Sequence, residues 1–147
     1  MKRILALVCA VMLLVTLTAC GAPEADDGKY VIGICQYMPH PALDDATRGF
    51  MDTVEKALGK ENVTFELGDA AGEATNCSTI INGFVASDVD LIMANATPAL
   101  AAAYNATETI PILGTSVTEY GVALNIKDFD GTVGENVSGT SDLADLN

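Results

Sequence analysis

The sequence predicts an α/β domain, an open parallel sheet of Rossmann-like, flavodoxin-like type with helices on both faces. Three observations carry that expectation. Short apolar runs alternate with amphipathic stretches in the order β-α-β-α-β-α-β, and the connections are too short for anything but crossover helices. The apolar runs hardly alternate in polarity, which is the pattern of strands covered on both sides. The composition is dominated by Ala, Val, Ile and Leu with 13 Gly, no Trp and only 5% aromatic residues, which suits helices packed closely on a parallel sheet. At 147 residues the chain is about one domain. The expected strand order is 2-1-3-4 with a short edge strand.

Tyr30-Val31-Ile32-Gly33-Ile34-Cys35-Gln36 is the first, central strand. Pro39-His40-Pro41 breaks it, and Leu43, Thr47, Phe50, Val54 and Leu58 then recur at helical spacing, with Gly59 as a C-terminal stop. Val63, Phe65 and Leu67 alternate through a second strand, and Gly68 to Gly72 form a turn. A second helix is expected from about Glu73 to Ser87 on the stripe Cys77, Ile80, Ile81, Phe84, Val85. Asp90 to Ala94 reads as the third strand, Pro98 to Asn105 as a short Ala-rich helix, and Ile110 to Gly114 as a fourth strand with Pro111 near its start. Gly121 to Ile126 reads as a short edge strand, residues 127–131 as a turn, and Asn136 to Thr140 as a further strand leaving the domain.

Before the domain, Lys2-Arg3 precede an apolar stretch from Ile4 to Val15 and then Leu17-Thr18-Ala19-Cys20. The run is too short to span a bilayer, which takes about 20 apolar residues, and it has the layout of a secretion signal. Leu17-Thr18-Ala19-Cys20 resembles a bacterial lipobox, so residues 1–19 are expected to leave and Cys20 to take the lipid; ordinary signal-peptidase cleavage is the alternative. Residues 21–29 have no apolar periodicity and read, with Cys20, as a flexible stalk. The expected location is extracytoplasmic, anchored to the bacterial cell membrane. Cys9 goes with the signal, so Cys35 and Cys77 remain in an oxidising compartment. Cys77 lies on the apolar stripe and reads as a small core residue rather than half of a bridge.

Charge and motifs exclude several functions. The formal charge is −13, and −15 once Lys2 and Arg3 are removed, so phosphate-rich nucleic acid is no expected partner. His40, the one histidine, sits between two prolines with no nucleophile elbow elsewhere, and reads as a loop residue at a helix start. There is no Cys-x-x-Cys, no GxGxxG and no phosphate loop, so no metal or cofactor is expected. Asp128-x-Asp130-Gly131 is out of register for a calcium loop and is a turn. Five Asn-x-Ser/Thr sequons, at Asn62, Asn76, Asn95, Asn105 and Asn136, read as accidental in an exported bacterial chain.

Ligands of open parallel sheets bind beyond the carboxyl ends of the strands. Here those positions hold Gln36-Tyr37, Gly68-Asp69, Asn95-Ala96-Thr97-Pro98 and Thr115-Ser116-Val117-Thr118, nearly all neutral polar or aromatic. Thr97-Pro98 has the form of an N-cap followed by a first-turn proline, which would aim free amides of Ala99, Leu100 and Ala101 at a carboxylate.

Several blocks stand in order along the chain: His40-Pro41-Ala42-Leu43-Asp44 with Gly49-Phe50, Asp90-Leu91-Ile92 leading to Ala96-Thr97-Pro98-Ala99, Ile110-Pro111-Ile112, Ser116-Val117-Thr118, and Asn136 through Asp142. Taken together, they resemble the N-terminal lobe of ABC-transporter solute-binding lipoproteins of the tryptophan/tyrosine type, which have the type I periplasmic-binding-protein fold. One departure is Glu119-Tyr120 where that pattern has Asp-Pro. The resemblance implies a binder of a small amino-acid-like, aromatic ligand that works by hinge closure and hands its ligand to an ABC permease. No enzymatic activity is expected on this resemblance; a flavodoxin-like enzyme domain and a lipoprotein making only protein contacts are the rival readings. On this reading residues 30–135 are the ligand-binding lobe and 136–147 the start of a hinge crossover, with a second lobe missing and the chain a fragment or a truncated product. Thr97, Ser116 and Thr118 are assigned to the ligand carboxylate, Gln36 and Tyr37 to its side chain or amine, and Asp142 to an ammonium near the hinge.

Overall fold

The structure is a computed structural model that describes residues 28–142. The signal segment, Cys20 and most of the stalk, with residues 143–147, lie outside the described residues. Five strands form one sheet: β1 (Tyr30–Gln36), β2 (Val63–Asp69), β3 (Leu91–Asn95), β4 (Ile112–Val117) and β5 (Val137–Ser141). Their order is β2-β1-β3-β4-β5, and every neighbouring pair is parallel. The connecting helices are α1 (Pro41–Leu58), α2 (Ala74–Ala86), α3 (Thr97–Ala106) and the single turn α4 (Tyr120–Ala123). The expected order of the first four strands holds.

The pleat of β1 explains both layers, because alternate side chains leave on opposite faces. Ile32 and Ile34 meet Phe50, Met51 and Val54 of α1, together with Val63 and Met93. Phe50 and Phe65 sit edge to face with ring centres 6.4 Å apart. On the other face Cys35, Ile92, Ala94, Ile112 and Val117 are buried with Cys77, Ile81, Phe84, Leu100, Ala103 and Tyr120 from α2, α3 and α4. Helix α2 comes unusually close: a Cβ on Gly33 would stand 2.6 Å from the Phe84 ring, and one on Gly68 would overlap the Ile80 side chain. Glycine at these two places lets the helix seat.

Helix α1 starts as its sequence suggests. His40 is its N-cap, with Nδ1 accepting the Ala42 N–H at 3.2 Å, Pro41 opens the helix, and Gly59 closes it at φ 89°. The edge strand expected at Gly121–Ile126 is corrected: the segment begins as α4. The reason is Glu119, whose two carboxylate oxygens accept the N–H groups of Gly121 and Val122 at 2.8 and 2.7 Å, a cap that outweighs a brief apolar alternation. The edge belongs to β5, which pairs with β4 instead of leaving the domain. Gly114 and Gly139 are register partners there, and the Tyr120 hydroxyl lies over both, donating to the carbonyls of Gly114 (3.0 Å) and Thr140 (3.2 Å).

Candidate functional site

Because all strands run the same way, their carboxyl ends share one edge. Along that edge β1 is followed by β2 on one side and, after α2, by β3 on the other. Helices α1 and α2 pack on opposite faces. The chain therefore reverses its winding between β1 and β3, and this is where a crevice opens in a doubly wound sheet. Gln36 ends β1 and Asn95 ends β3 there, with Tyr37 just beyond the one and Ala96 and Thr97 just beyond the other.

The crevice floor is a hydrogen-bond chain. Asn95 is fully buried and donates from Nδ2 to the Leu43 carbonyl (2.8 Å) and to Thr47 Oγ1 (3.0 Å). Thr47 Oγ1 donates to Gln36 Oε1 at 2.7 Å, and Gln36 Nε2 donates to Asp44 Oδ1 at 2.7 Å and to the Met38 carbonyl at 3.0 Å. The chain explains why the most buried residue of α1 is a threonine. It also engages the whole Gln36 amide within the lobe, tying α1 to the strand ends. Among the described residues, Asn95 Oδ1 is a buried acceptor with no partner. Asn95 is among the strand-end positions singled out in the sequence but is given no role there, and Thr47 reads only as part of the helical stripe; a polar residue ending an otherwise apolar buried strand is the usable signal.

Tyr37 stitches three ends together: its N–H donates to the Asn95 carbonyl at 3.2 Å and its carbonyl accepts the Gly72 N–H at 2.8 Å. Its ring is half-buried, and exposed Met38 stands beside the same turn, its methyl 3.8 Å from the position a Gly72 Cβ would take.

The expectation that Thr97 caps its helix is corrected. The N-cap is Ala96, at φ 90° and ψ 159°, and no side chain caps α3. Thr97 is the first helical residue and Pro98 follows it. The Leu100 N–H returns to the Ala96 carbonyl at 3.1 Å, so the orphan donors of this first turn are the amides of Thr97 and Ala99. Ala96 adopts a backbone region that glycine ordinarily fills, a strained choice held by the surrounding strands.

Ser116 also has positive φ, 55°, at an irregularity where the β4–β5 register shifts between Gly114 and Val117. Thr118 is exposed, and its carbonyl accepts from Ser141 Oγ at 2.7 Å. Asp142 is exposed and donates its N–H to the Val117 carbonyl at 3.1 Å. The topology thus puts Gln36, Tyr37 and Thr97 at the β1–β3 reversal and Ser116, Thr118 and Asp142 further along the same edge, at the ends of β4 and β5. Gln36 also borders a cavity of about 540 Å³ between α1 and β2, and Thr118 one of about 590 Å³ beside Tyr120 and β5. Among the described residues no three His, Cys, Asp or Glu side chains gather as a metal-binding set. No helix of the described residues is long and apolar enough to cross a membrane.

A doubly wound lobe whose winding reverses beside a bare helix start and neutral polar groups is built to hold a small polar molecule. The chain belongs to the ABC transporter substrate-binding protein family, whose model matches residues 31–147. It is 36% identical to a tyrosine-binding protein of Clostridioides difficile (strain R20291), a match that takes in 99% of this chain and 46% of that protein. Among solved structures it is similar to the ligand-free, open form of a substrate-binding protein with adhesive properties from Clostridium difficile. That match has a TM-score of 0.72 and 38% identity and covers 80% of this chain and 40% of the other. It is also similar to a Streptococcus pneumonia structure in complex with L-Trp, with a TM-score of 0.70 and 29% identity over 78% of this chain and 39% of the other. The chain spans about half the length of the curated relative it matches.

Proposed function

We propose that the chain is the N-terminal lobe of an extracytoplasmic solute-binding protein that takes an aromatic amino acid and delivers it to an ABC permease. The observation that carries this reading is the β1–β3 reversal, where Tyr37, buried Asn95 and the uncapped start of α3 converge. The amides of Thr97 and Ala99, with Ser116 and Thr118, take the ligand carboxylate; the positive end of the helix favours an anion without a charged side chain. Tyr37, beside Met38, faces the aromatic ring, Gln36 holds α1 and the β1 end in place from below, and Asp142 takes the ammonium. The tyrosine-binding relative and the L-Trp complex support an aromatic ligand. The relatives' greater length supports a second lobe, entered beyond β5, that closes over the ligand by a hinge. Cys20, acylated after loss of residues 1–19, tethers the whole to the membrane. No bond is made or broken in this cycle.

One lobe supplies only part of the polar contacts while the association entropy still opposes binding, so its affinity for a free amino acid is expected near the millimolar range. Amide chemical-shift mapping of the chain with tyrosine, tryptophan and phenylalanine tests the reading. Shifts centred on residues 36–38, 95–99 and 116–118 support it. Shifts centred on residues 129–139, or none at tens of millimolar, refute it.

A further inference from the structure

Helix α2 lies so close to β1 that two cysteines meet beneath the crevice. Gly33 faces Phe84, and Gly68, the register partner of Cys35, faces Ile80. Cys35 is two residues beyond Gly33 and so leaves β1 on the same face. Cys77 is about one helical turn before Ile80 and about two before Phe84. Running back along the strand, α2 therefore brings Cys77 over Cys35 at the carboxyl edge. Both are fully buried free thiols in one apolar cluster.

We propose that Cys35 and Cys77 are a latent disulfide whose state is decided while the chain folds. Under oxidising conditions the pair is joined before burial, and under reducing conditions it is sealed as two thiols. The oxidant is a disulfide RS–SR of the small-thiol or oxidoreductase class. One cysteine thiolate attacks a sulfur of RS–SR and expels RS⁻, giving a mixed disulfide. The other cysteine thiolate then displaces the second RS⁻, forming the Cys35–Cys77 bond. The two protons given up by the cysteines end on two RSH, and two electrons pass to the reagent. Once α2 has docked, no reagent reaches either sulfur. The link would join the end of β1 to the first turn of α2, directly below the bonds from Ala70 N–H to the Gln36 carbonyl and from Gly72 N–H to the Tyr37 carbonyl. It would therefore stiffen the part of the edge that carries Tyr37, whatever the ligand.

The full chain, reduced and unfolded, is refolded in mixed oxidised and reduced glutathione or in excess dithiothreitol, then digested with trypsin and weighed. Peptide 30–48 joined to peptide 61–127 is expected from the first refolding only. Protein folded reduced and then moved to the glutathione buffer is expected to stay unlinked for hours. The linked form should melt about 10 °C higher, from the loop that the bond closes. Cys77→Ala should keep the native far-UV signal and lose all redox dependence of its melting. Native-like protein from the glutathione refolding with both thiols still free overturns the proposal. So does a link to the peptide bearing Cys9 and Cys20 in its place, or a linked form that melts lower.

Discussion

Substituting Gly33 by alanine tests the closeness of α2 to the sheet. The added methyl would lie 2.6 Å from two atoms of the Phe84 ring, whereas carbon atoms in contact rest at about 3.5 Å or more. The ring must therefore withdraw by nearly ~1 Å, and Phe84, only 6% exposed within the main core cluster, has no free space to enter. Overpacking of this kind costs about 1–3 kcal/mol, against which replacing a strand glycine returns about 0.5–1 kcal/mol. The net expectation is a loss of about 1–2 kcal/mol, or roughly 5–10 °C in Tm. Urea unfolding of Gly33→Ala, Phe84→Leu and the double variant measures the coupling, because the smaller side chain should make room for the methyl and leave the double variant more stable than the sum predicts. Gly49→Ala, in α1 with nothing within 4 Å of the new methyl, is the control and should gain about 0.5–1 kcal/mol. A Gly33→Ala protein as stable as its parent, or one that Phe84→Leu does not rescue, would refute the close seating of α2.

Three further outcomes are expected. Asn95→Ala removes the donor to Leu43 and Thr47 along with the orphan Oδ1, and should destabilise by about 1–2 kcal/mol, with hydrogen exchange rising in α1 more than in α2. In the reduced protein, burial above all, and then the neighbouring Cys77 and Asp69, push the Cys35 thiol from 9.0 up to about 12. The unfolded chain thus sheds this proton first, so the stabilisation is whole below pH 9 and drains at about 1.4 kcal/mol per pH unit as pH climbs toward 12. Urea midpoints at rising pH should show that fall, and Cys35→Ala should lessen it without abolishing it, because burial also raises the Cys77 and Tyr120 groups. Cys20→Ser should move the protein from the membrane pellet to the soluble fraction of cells labelled with a radioactive fatty acid, and label retained by the variant would reject lipidation at Cys20.

What could be read from the sequence divides along the range of the forces involved. Strand β1 was legible to the residue because burial on both faces writes an unbroken apolar run, and α1 was legible because its cap, first-turn proline and terminal glycine are local signals. Helix α4 was misread since Gly121 to Ile126 holds too few residues for a period to decide, and the Glu119 cap acts from outside the segment. Thr97-Pro98 looked like a cap because the composition of the dipeptide is right. The deciding quantity was the turn taken by Ala96, at an angle its side chain disfavours and which no residue type announces. The Asn95–Thr47 bond joins residues 48 positions apart, so only the folded sheet brings its ends together. Those at Asn95 and Ala96 fall together at the β1–β3 reversal: a non-glycine residue held at positive φ, a buried side-chain oxygen without a donor, and a helix begun without a side-chain cap. Each of them lowers the stability of the lobe, and local consistency is what makes the rest of the fold readable. Their coincidence at the crevice where the winding reverses supports the site proposed there.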